Sequence, residues 1–363
     1  MNNLHINNIE FIKKAIDNDI SFAMWYLPKE KDIQYTYSNT ESLIELQTIS
    51  DIDKYKGFVF APFNINTDIP AYIIPFNKNK EIINNLYSDD IKYNTLSVKN
   101  KVNISKADYI KQIDNILDIL NKTEIKKVVL SRSKTLSGYN IYNMPKLFND
   151  LKETYPNAFI YQVYIPNVGY WVGATPEILL STQNNIATTV SLAGTKEINN
   201  KEHIQWNNKE KIEQQLVTKH IEDVLKNFNI DNIKKSNLQT IKTGQLEHIK
   251  TTITFSNNNL KNKIGDFISK LHPTPAVCGL PVEKSKKIIT EIENYNREYY
   301  TGYLGILNEK KIDLFVNLRC LQAFNNSITL YAGGGITEES DTEKEWKETE
   351  LKIDSIKKVI ESV

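Results

Sequence analysis

The sequence predicts an α+β fold of largely antiparallel sheets with helices packed outside. Three observations carry that prediction. Short apolar and β-branched runs recur along the chain, bounded by Pro, Gly and Asn. Stretches with helical spacing fall between groups of strands, not after every strand as a parallel sheet would need. Polar residues separate the runs at 302–307 and 312–319, which suits a hairpin.

In chain order, residues 9–16 have helical apolar spacing, and residues 21–27 form a strand that ends at Pro28. A second strand covers 57–63, and the polar stretch 77–81 is a loop. The first hundred residues form a small, variable α/β part of the same fold, and 101–363 form the region that carries the chemistry. Ser105 caps a helix that runs to about Leu120. A strand at 127–132 and a helix at 144–155 follow. The strand at 158–165 stops at Pro166 and 169–173 returns beside it, with 178–181 and 186–192 continuing the same sheet. Residues 208–225 are an amphipathic helix. After the hairpin, 327–331 is a strand, the glycines at 333–335 make a tight strand-to-helix join, and a last helix starts near Thr342. Ser340 and Glu343 have the spacing of a capping box for it.

With 40% hydrophobic and 25% charged residues, the balance is that of a globular protein. Its 363 residues are enough for one large domain or two smaller ones. A net charge of +1 without a basic stripe argues against nucleic acid as a partner. No stretch is long and apolar enough to span a bilayer, so no membrane partner is expected. The first residues lack a signal-peptide pattern. Cys278 and Cys320 make neither a disulfide framework nor a zinc motif, so a cytoplasmic location is expected. No long exposed apolar stripe asks for a second copy, and a monomer is expected.

The chemistry-bearing pattern is a pair of Glu-x-x-Glu segments. Glu345, Glu348 and Lys352 share one face of the last helix, and Glu210 and Glu213 repeat the spacing on the earlier one. Like charges on one face repel unless something screens them. Two readings stay open on spacing alone. The two helices close around one Mg²⁺, which takes carboxylate oxygens and keeps some waters, or each pair faces solvent beside its lysines.

The chain resembles the chorismate-utilising (chorismate-binding) enzymes, and within them the isochorismate synthases. The motifs that carry the resemblance begin with Lys127-Val-Val-Leu-Ser-Arg132, Gly173-Ala-Thr-Pro-Glu177, Ser191-Leu-Ala-Gly-Thr195 and Lys209-Glu-Lys-Ile-Glu213. Leu271-His-Pro-Thr-Pro-Ala-Val277, Arg297-Glu-Tyr-Tyr-Thr-Gly302, Asp313-Leu-Phe-Val-Asn-Leu-Arg319 and the segment from Tyr331 to Lys352 follow in order. The resemblance implies the anthranilate/aminodeoxychorismate synthase-like fold and chorismate as substrate. It also implies an Mg²⁺-dependent reaction that adds water at ring position C2 and expels the 4-hydroxyl. It places the base at Lys127, whose pKa would have to be depressed by burial or nearby cations. The acid falls at Glu177, where apolar walls would raise the pKa. Without the family, these two read as a strand lysine and a turn glutamate in water. Glu213 and Glu348 would hold the metal, with Glu210 and Glu345 supporting through water. Arg319 would clamp the enolpyruvyl carboxylate. Gly194, Thr195, His248, His272, Thr274, Tyr300, Gly333, Gly334 and Lys352 would complete the substrate site. For His248 and His272 a purely structural role stays open. Asn317 is expected on the same strand face as Arg319.

Within the family, Ala193 stands where aminodeoxychorismate synthases carry a lysine, so no amine nucleophile is available there. The alternatives are a salicylate synthase-type lyase activity after isochorismate, and a non-catalytic chorismate-binding subunit. A menaquinone and a siderophore pathway are equally open.

Overall fold

The computed structural model describes residues 9–66, 68–76, 103–198, 206–244 and 246–361. The loop expected at 77–81 lies outside the described residues. The chain opens with α1 (Ile9–Asp17), β1 (Ser21–Tyr26), β2 (Gln34–Ser38), β3 (Ile44–Leu46), β4 (Gly57–Ala61) and β5 (Ala71–Pro75). Next come α2 (Lys106–Lys122), β6 (Lys127–Ser137), α3 (Met144–Thr154), β7 (Phe159–Ile165), β8 (Gly169–Thr175), β9 (Ile178–Gln183) and β10 (Ile186–Glu197). Then follow α4 (Asn208–Asn227), β11 (Lys234–Lys235), β12 (Gln239–Thr243), β13 (Leu246–Ser256), α5 (Ile264–Leu271), β14 (Gly279–Leu280) and α6 (Val282–Ile292). The last stretch is β15 (Tyr303–Leu307), β16 (Lys311–Val316), β17 (Cys320–Phe324), β18 (Ser327–Ile336) and α7 (Thr342–Glu361).

These strands build two antiparallel sheets. The first has the order β14-β6-β18-β17-β8-β7-β1-β2. The second runs β11-β13-β10-β9-β16-β15-β4-β5-β3, with β12 also on β13. Alternation along each strand feeds two cores. Ala23, Trp25, Phe159, Tyr161 and Trp171 of the first sheet meet Phe58, Phe60, Leu304 and Phe315 of the second. The intervening residues face helices: Phe22, Met24 and Ile160 pack against α1, α3 and α7. On the far side, Leu179, Ile253 and Leu314 pack against α4 and α5. Helices therefore lie outside both sheets. Residues of the N-terminal hundred enter both, β1 and β2 the first and β3 to β5 the second.

Four local expectations are corrected. β9 and β10 do not continue the sheet of β7 and β8; after Pro176 the chain crosses over, and β9 pairs with β16 in the second sheet. Strand-like periodicity reports which face is apolar, not which edge a strand finds. The glycines are not a join, because β18 runs on through them, with Gly333, Gly334 and Gly335 opposite Ser131, Leu130 and Val129. The cap of α7 is Asp341, whose Oδ1 accepts from Lys344 N–H at 2.9 Å. Ser340 is occupied by the preceding turn, its Oγ accepting from Thr337 N–H at 3.1 Å. Finally, β16 stops at Val316, so the strand rule does not reach Asn317. That side chain is fully buried, donating to Tyr299 O at 2.8 Å and accepting from Tyr161 OH, away from Arg319.

Candidate active site

Of the connections that pass from one sheet to the other, two short ones lie side by side. One joins β8 to β9 through Pro176 and Glu177; the other joins β16 to β17 through Asn317, Leu318 and Arg319. They bind each other through backbone: Val316 N–H donates to Glu177 O at 2.9 Å, and Ala174 N–H to Arg319 O at 3.1 Å. Arg319 takes a left-handed φ of 49°, a region that non-glycine residues seldom occupy. Each crossing thus delivers one ionisable side chain into a cleft of about 740 Å³, its open mouth included.

Both groups are buried without an opposite charge in contact. Glu177 is 3% exposed, and its carboxyl has no ion-pair partner among the described residues. Burial pushes it up to about 8, although Lys127 and Lys352 pull the other way. Glu177 is therefore not the turn glutamate in water that sequence alone suggests, but a buried carboxyl held well above its usual range. Arg319 is 8% exposed. Its Nη1 donates to Ser355 Oγ at 3.1 Å and its Nη2 meets His248 Nε2 at 2.9 Å, both neutral partners. Burial holds its pKa below the usual arginine value.

The cleft wall opposite is built by α4 and α7. Arg132 fixes α7 in rotation: its Nε donates to Thr349 Oγ1 at 2.8 Å, its guanidinium lies 4.0 Å over the Trp346 ring, and Nη2 pairs with Glu350. The other face, with Glu345, Glu348 and Lys352, then turns inward. Each carboxylate leans on a lysine. Glu213 Oε1 is 2.7 Å from Lys127 Nζ, Glu348 Oε1 is 2.8 Å from Lys352 Nζ, and Glu345 pairs with Lys209. Burial raises Glu213, but Lys127, Lys209 and Lys352 outweigh it and hold the carboxyl below its usual range. Burial and Glu348 raise Glu345 to about 7 against the pull of Lys209.

One protein family, described as "Chorismate binding enzyme", matches residues 30–361. The chain belongs to that family. Over 262 residues it is 25% identical to the vibriobactin-specific isochorismate synthase of Vibrio cholerae serotype O1, which covers 69% of this chain and 66% of that protein. The matched stretches span from 16% to 66% of the length of the first curated relatives. Among solved structures, MenF, the menaquinone-specific isochorismate synthase of Escherichia coli, superposes with a TM-score of 0.79 at 19% identity, over 97% of this chain and 90% of that one. Anthranilate synthase component I of Streptococcus pneumoniae gives 0.64 at 16%, over 92% and 89%. At such identities the two structures establish a shared fold.

In this chorismate binding enzyme, ten of the residues singled out by sequence line the cleft: Glu177, Gly194, Thr195, Glu213, His248, Tyr300, Arg319, Gly333, Glu348 and Lys352. Lys127 is wholly buried just behind Glu213. Glu210 and Glu345 line an adjoining outer hollow between α4 and α7, which shares Thr195 and Glu348 with the cleft. Glu210 Oε2 there caps its own helix, accepting from Asn207 N–H at 2.9 Å. Gly334 faces Glu345 and Glu348 from β18. His272 and Thr274 lie outside the cleft lining. The His272 ring packs edge-on against Tyr303 at 4.9 Å, and Thr274 O accepts from Val277 and Cys278 N–H, each at 3.0 Å.

Sequence reasoning noted Gly335 and Arg297 only as motif residues, gave neither a place in the site, and did not single out Glu293. A β-carbon on Gly335 would overlap Glu213 Oε1 and crowd Lys127 Cε, 2.7 Å away, and one on Gly334 would come within 3.2 Å of Glu345 Oε2. These two glycines are a cradle for the carboxylates. Glu293 and Arg297 stand behind the Tyr300 wall. β14 covers only Lys127 and Val128 of the β6 edge. Beyond it, Ser131 N–H donates to Glu293 Oε1 at 2.7 Å and Arg297 Nη2 to Val129 O at 2.7 Å. A buried ion pair takes the place of the missing strand there.

Proposed function

We propose that the protein is an isochorismate synthase, which converts chorismate to isochorismate for a menaquinone or siderophore pathway. The observation that carries this reading is one cleft holding a buried Glu177, its carboxyl pushed up to about 8, and an Arg319 with no carboxylate partner among the described residues. Chorismate brings carboxylates for the guanidinium and a 4-hydroxyl that must be protonated to leave. Ala193 lines the same cleft, so the position offers no amine to attack the ring.

In this reading Arg319 grips the enolpyruvyl carboxylate as a planar fork. Lys127 takes a proton from the water whose oxygen bonds to C2. Glu177 gives its proton to the 4-hydroxyl, which departs as water while the ring double bonds shift. One water enters and one leaves, and the proton gained by Lys127 balances the one lost by Glu177. For this step the 2.7 Å contact between Lys127 Nζ and Glu213 Oε1 has to open and Lys127 has to act as the uncharged amine, because an ammonium has no lone pair to take the proton.

Mg²⁺ suits the oxygen-only donor set of Glu213, Glu348 and Glu345 and the cradle at Gly334 and Gly335. Among the described residues no three His, Cys, Asp or Glu side chains stand together as a ready metal site. The carboxylates are instead drawn to their lysines. When bound, Mg²⁺ would neutralise the ring carboxylate and take over Glu213 and Glu348, with Glu210 and Glu345 further out.

The test is product analysis after incubation with chorismate, with and without Mg²⁺ and with added ammonium. Isochorismate in equilibrium with chorismate, only with the metal, is expected. Salicylate and pyruvate would move the protein to the lyase branch, and bound but unchanged chorismate would make it a non-catalytic subunit.

A further inference from the structure

His248 stands on β13 against an irregularity in β10. The register of the two strands shifts between Ala193 and Lys196, and Gly194 there takes a φ of +65°. The bulge turns the Gly194 carbonyl onto His248 Nδ1 at 2.8 Å. The other ring nitrogen, Nε2, is 2.9 Å from Arg319 Nη2. A guanidinium nitrogen only donates and a carbonyl oxygen only accepts. Nε2 must therefore be the bare acceptor and Nδ1 must carry the proton. Burial and then the Arg319 charge push the ring down to about 3.

The second support of Arg319 is also neutral. Ser355 Oγ on α7 accepts from Nη1, and its own hydroxyl donates to Lys352 O at 2.7 Å. A carboxylate in either place would orient the guanidinium equally well, but it would cancel the charge. Among the described residues two of the five N–H donors are used in this way, which leaves three for a ligand.

We propose that His248 is a positioning residue, a neutral imidazole in the Nδ1–H tautomer that aims the Arg319 guanidinium from the sheet bulge without neutralising it. It takes no part in proton transfer to or from the ring of the substrate. The proposal rests on the reading that Arg319 grips a carboxylate of chorismate.

The experiment has two arms. Long-range proton–nitrogen NMR of the intact protein labelled with ¹⁵N-histidine, assigned against His248→Gln, should show a protonated Nδ1 and a bare Nε2, unchanged across neutral pH. An Nε2–H tautomer, or a ring that titrates near neutrality, overturns the proposal even if chorismate proves not to be the substrate. In the kinetic arm, His248→Phe should raise KM for chorismate on the order of tenfold with kcat nearly kept. His248→Gln, whose amide offers an oxygen to Arg319 and an N–H to Gly194, should recover most of that loss. A fall in kcat with KM unchanged in both variants overturns it. Wild-type protein without turnover would refute the proposed function and leave the decision to the NMR arm.

Discussion

Two buried regions on either side of the Tyr300 wall contain the same chemical groups, one carboxyl and one guanidinium each. In the first, Glu293 and Arg297 bind each other, with Arg297 Nε donating to Glu293 Oε2 at 2.8 Å. Burial pulls Arg297 down, but Glu293 outweighs it and holds the guanidinium above its usual range. Its remaining donors go to Val277 O at 2.8 Å, Thr301 Oγ1 at 3.4 Å and Val129 O. In the second, Glu177 and Arg319 are as deeply buried, yet neither meets an opposite charge. Burial raises one and lowers the other. The same two residue types thus serve opposite ends. A pair that is complete holds backbone in place, and a pair kept apart leaves its capacity to a ligand.

Four parallel substitutions can break this contrast. The largest effect is expected for Glu177→Gln. Removing a general acid should lower kcat by about 10²–10⁴-fold, and in the wild type kcat should fall as pH rises through about 8. A stability signature accompanies it. Glu177 is raised in the folded state, so the folded protein holds a proton that the unfolded chain releases above its ordinary carboxyl pKa. Stability should decline from there up to about pH 8, by at most about 1.4 kcal/mol per pH unit. Urea unfolding at several pH values should find that slope missing in Glu177→Gln.

Next in size is Glu293→Gln or Arg297→Met. Leaving one buried charge unpaired should cost about 3–5 kcal/mol of folding stability, read from denaturant midpoints. Arg319→Met should do the reverse. Stability should stay within about 1 kcal/mol of wild type, since a costly buried charge is removed, while chorismate binding by calorimetry weakens about 10- to 100-fold. Equal stability losses in Arg297→Met and Arg319→Met would erase the distinction. The smallest effect concerns the backbone. Chorismate should slow hydrogen exchange at the Ala174 and Val316 amides, which the two crossings share, and leave the Ser131 amide beside Glu293 unchanged.

Much of this was legible in the sequence, and what was not has physical causes. Periodicity located ten of the eighteen described strands and five of the seven described helices, where apolar residues alternate between helix-facing and sheet-facing positions, and did not find β2, β3, β5, β11 to β14, β17, α5 or α6. It could not say that β9 leaves its neighbours, since the crossing at Pro176 and Glu177 alters partners without altering pattern. The burial of Glu177 was hidden for the same reason: a Pro-Glu turn between strands usually faces water, and this one faces the other sheet's crossing. Glu345, Glu348 and Lys352 were legible from helical spacing alone. Glu293 and Arg297 carry the four-residue spacing of a helical ion pair, but they follow the end of α6, and nothing local tells that they substitute for a strand. Family resemblance supplied Lys127, Arg319 and His248 as site residues, though not the imidazole's link to Gly194.

The coupling of the two crossings bears on chain length as well as residue identity. Surface connections ordinarily tolerate insertions. Here each connection is short, and each is tied by backbone hydrogen bonds to the other. One residue added beside Pro176 or Leu318 would leave both sheets able to pair, but would turn Glu177 or Arg319 to the opposite side. Relatives should therefore vary in length almost anywhere before they do so at these two short connections.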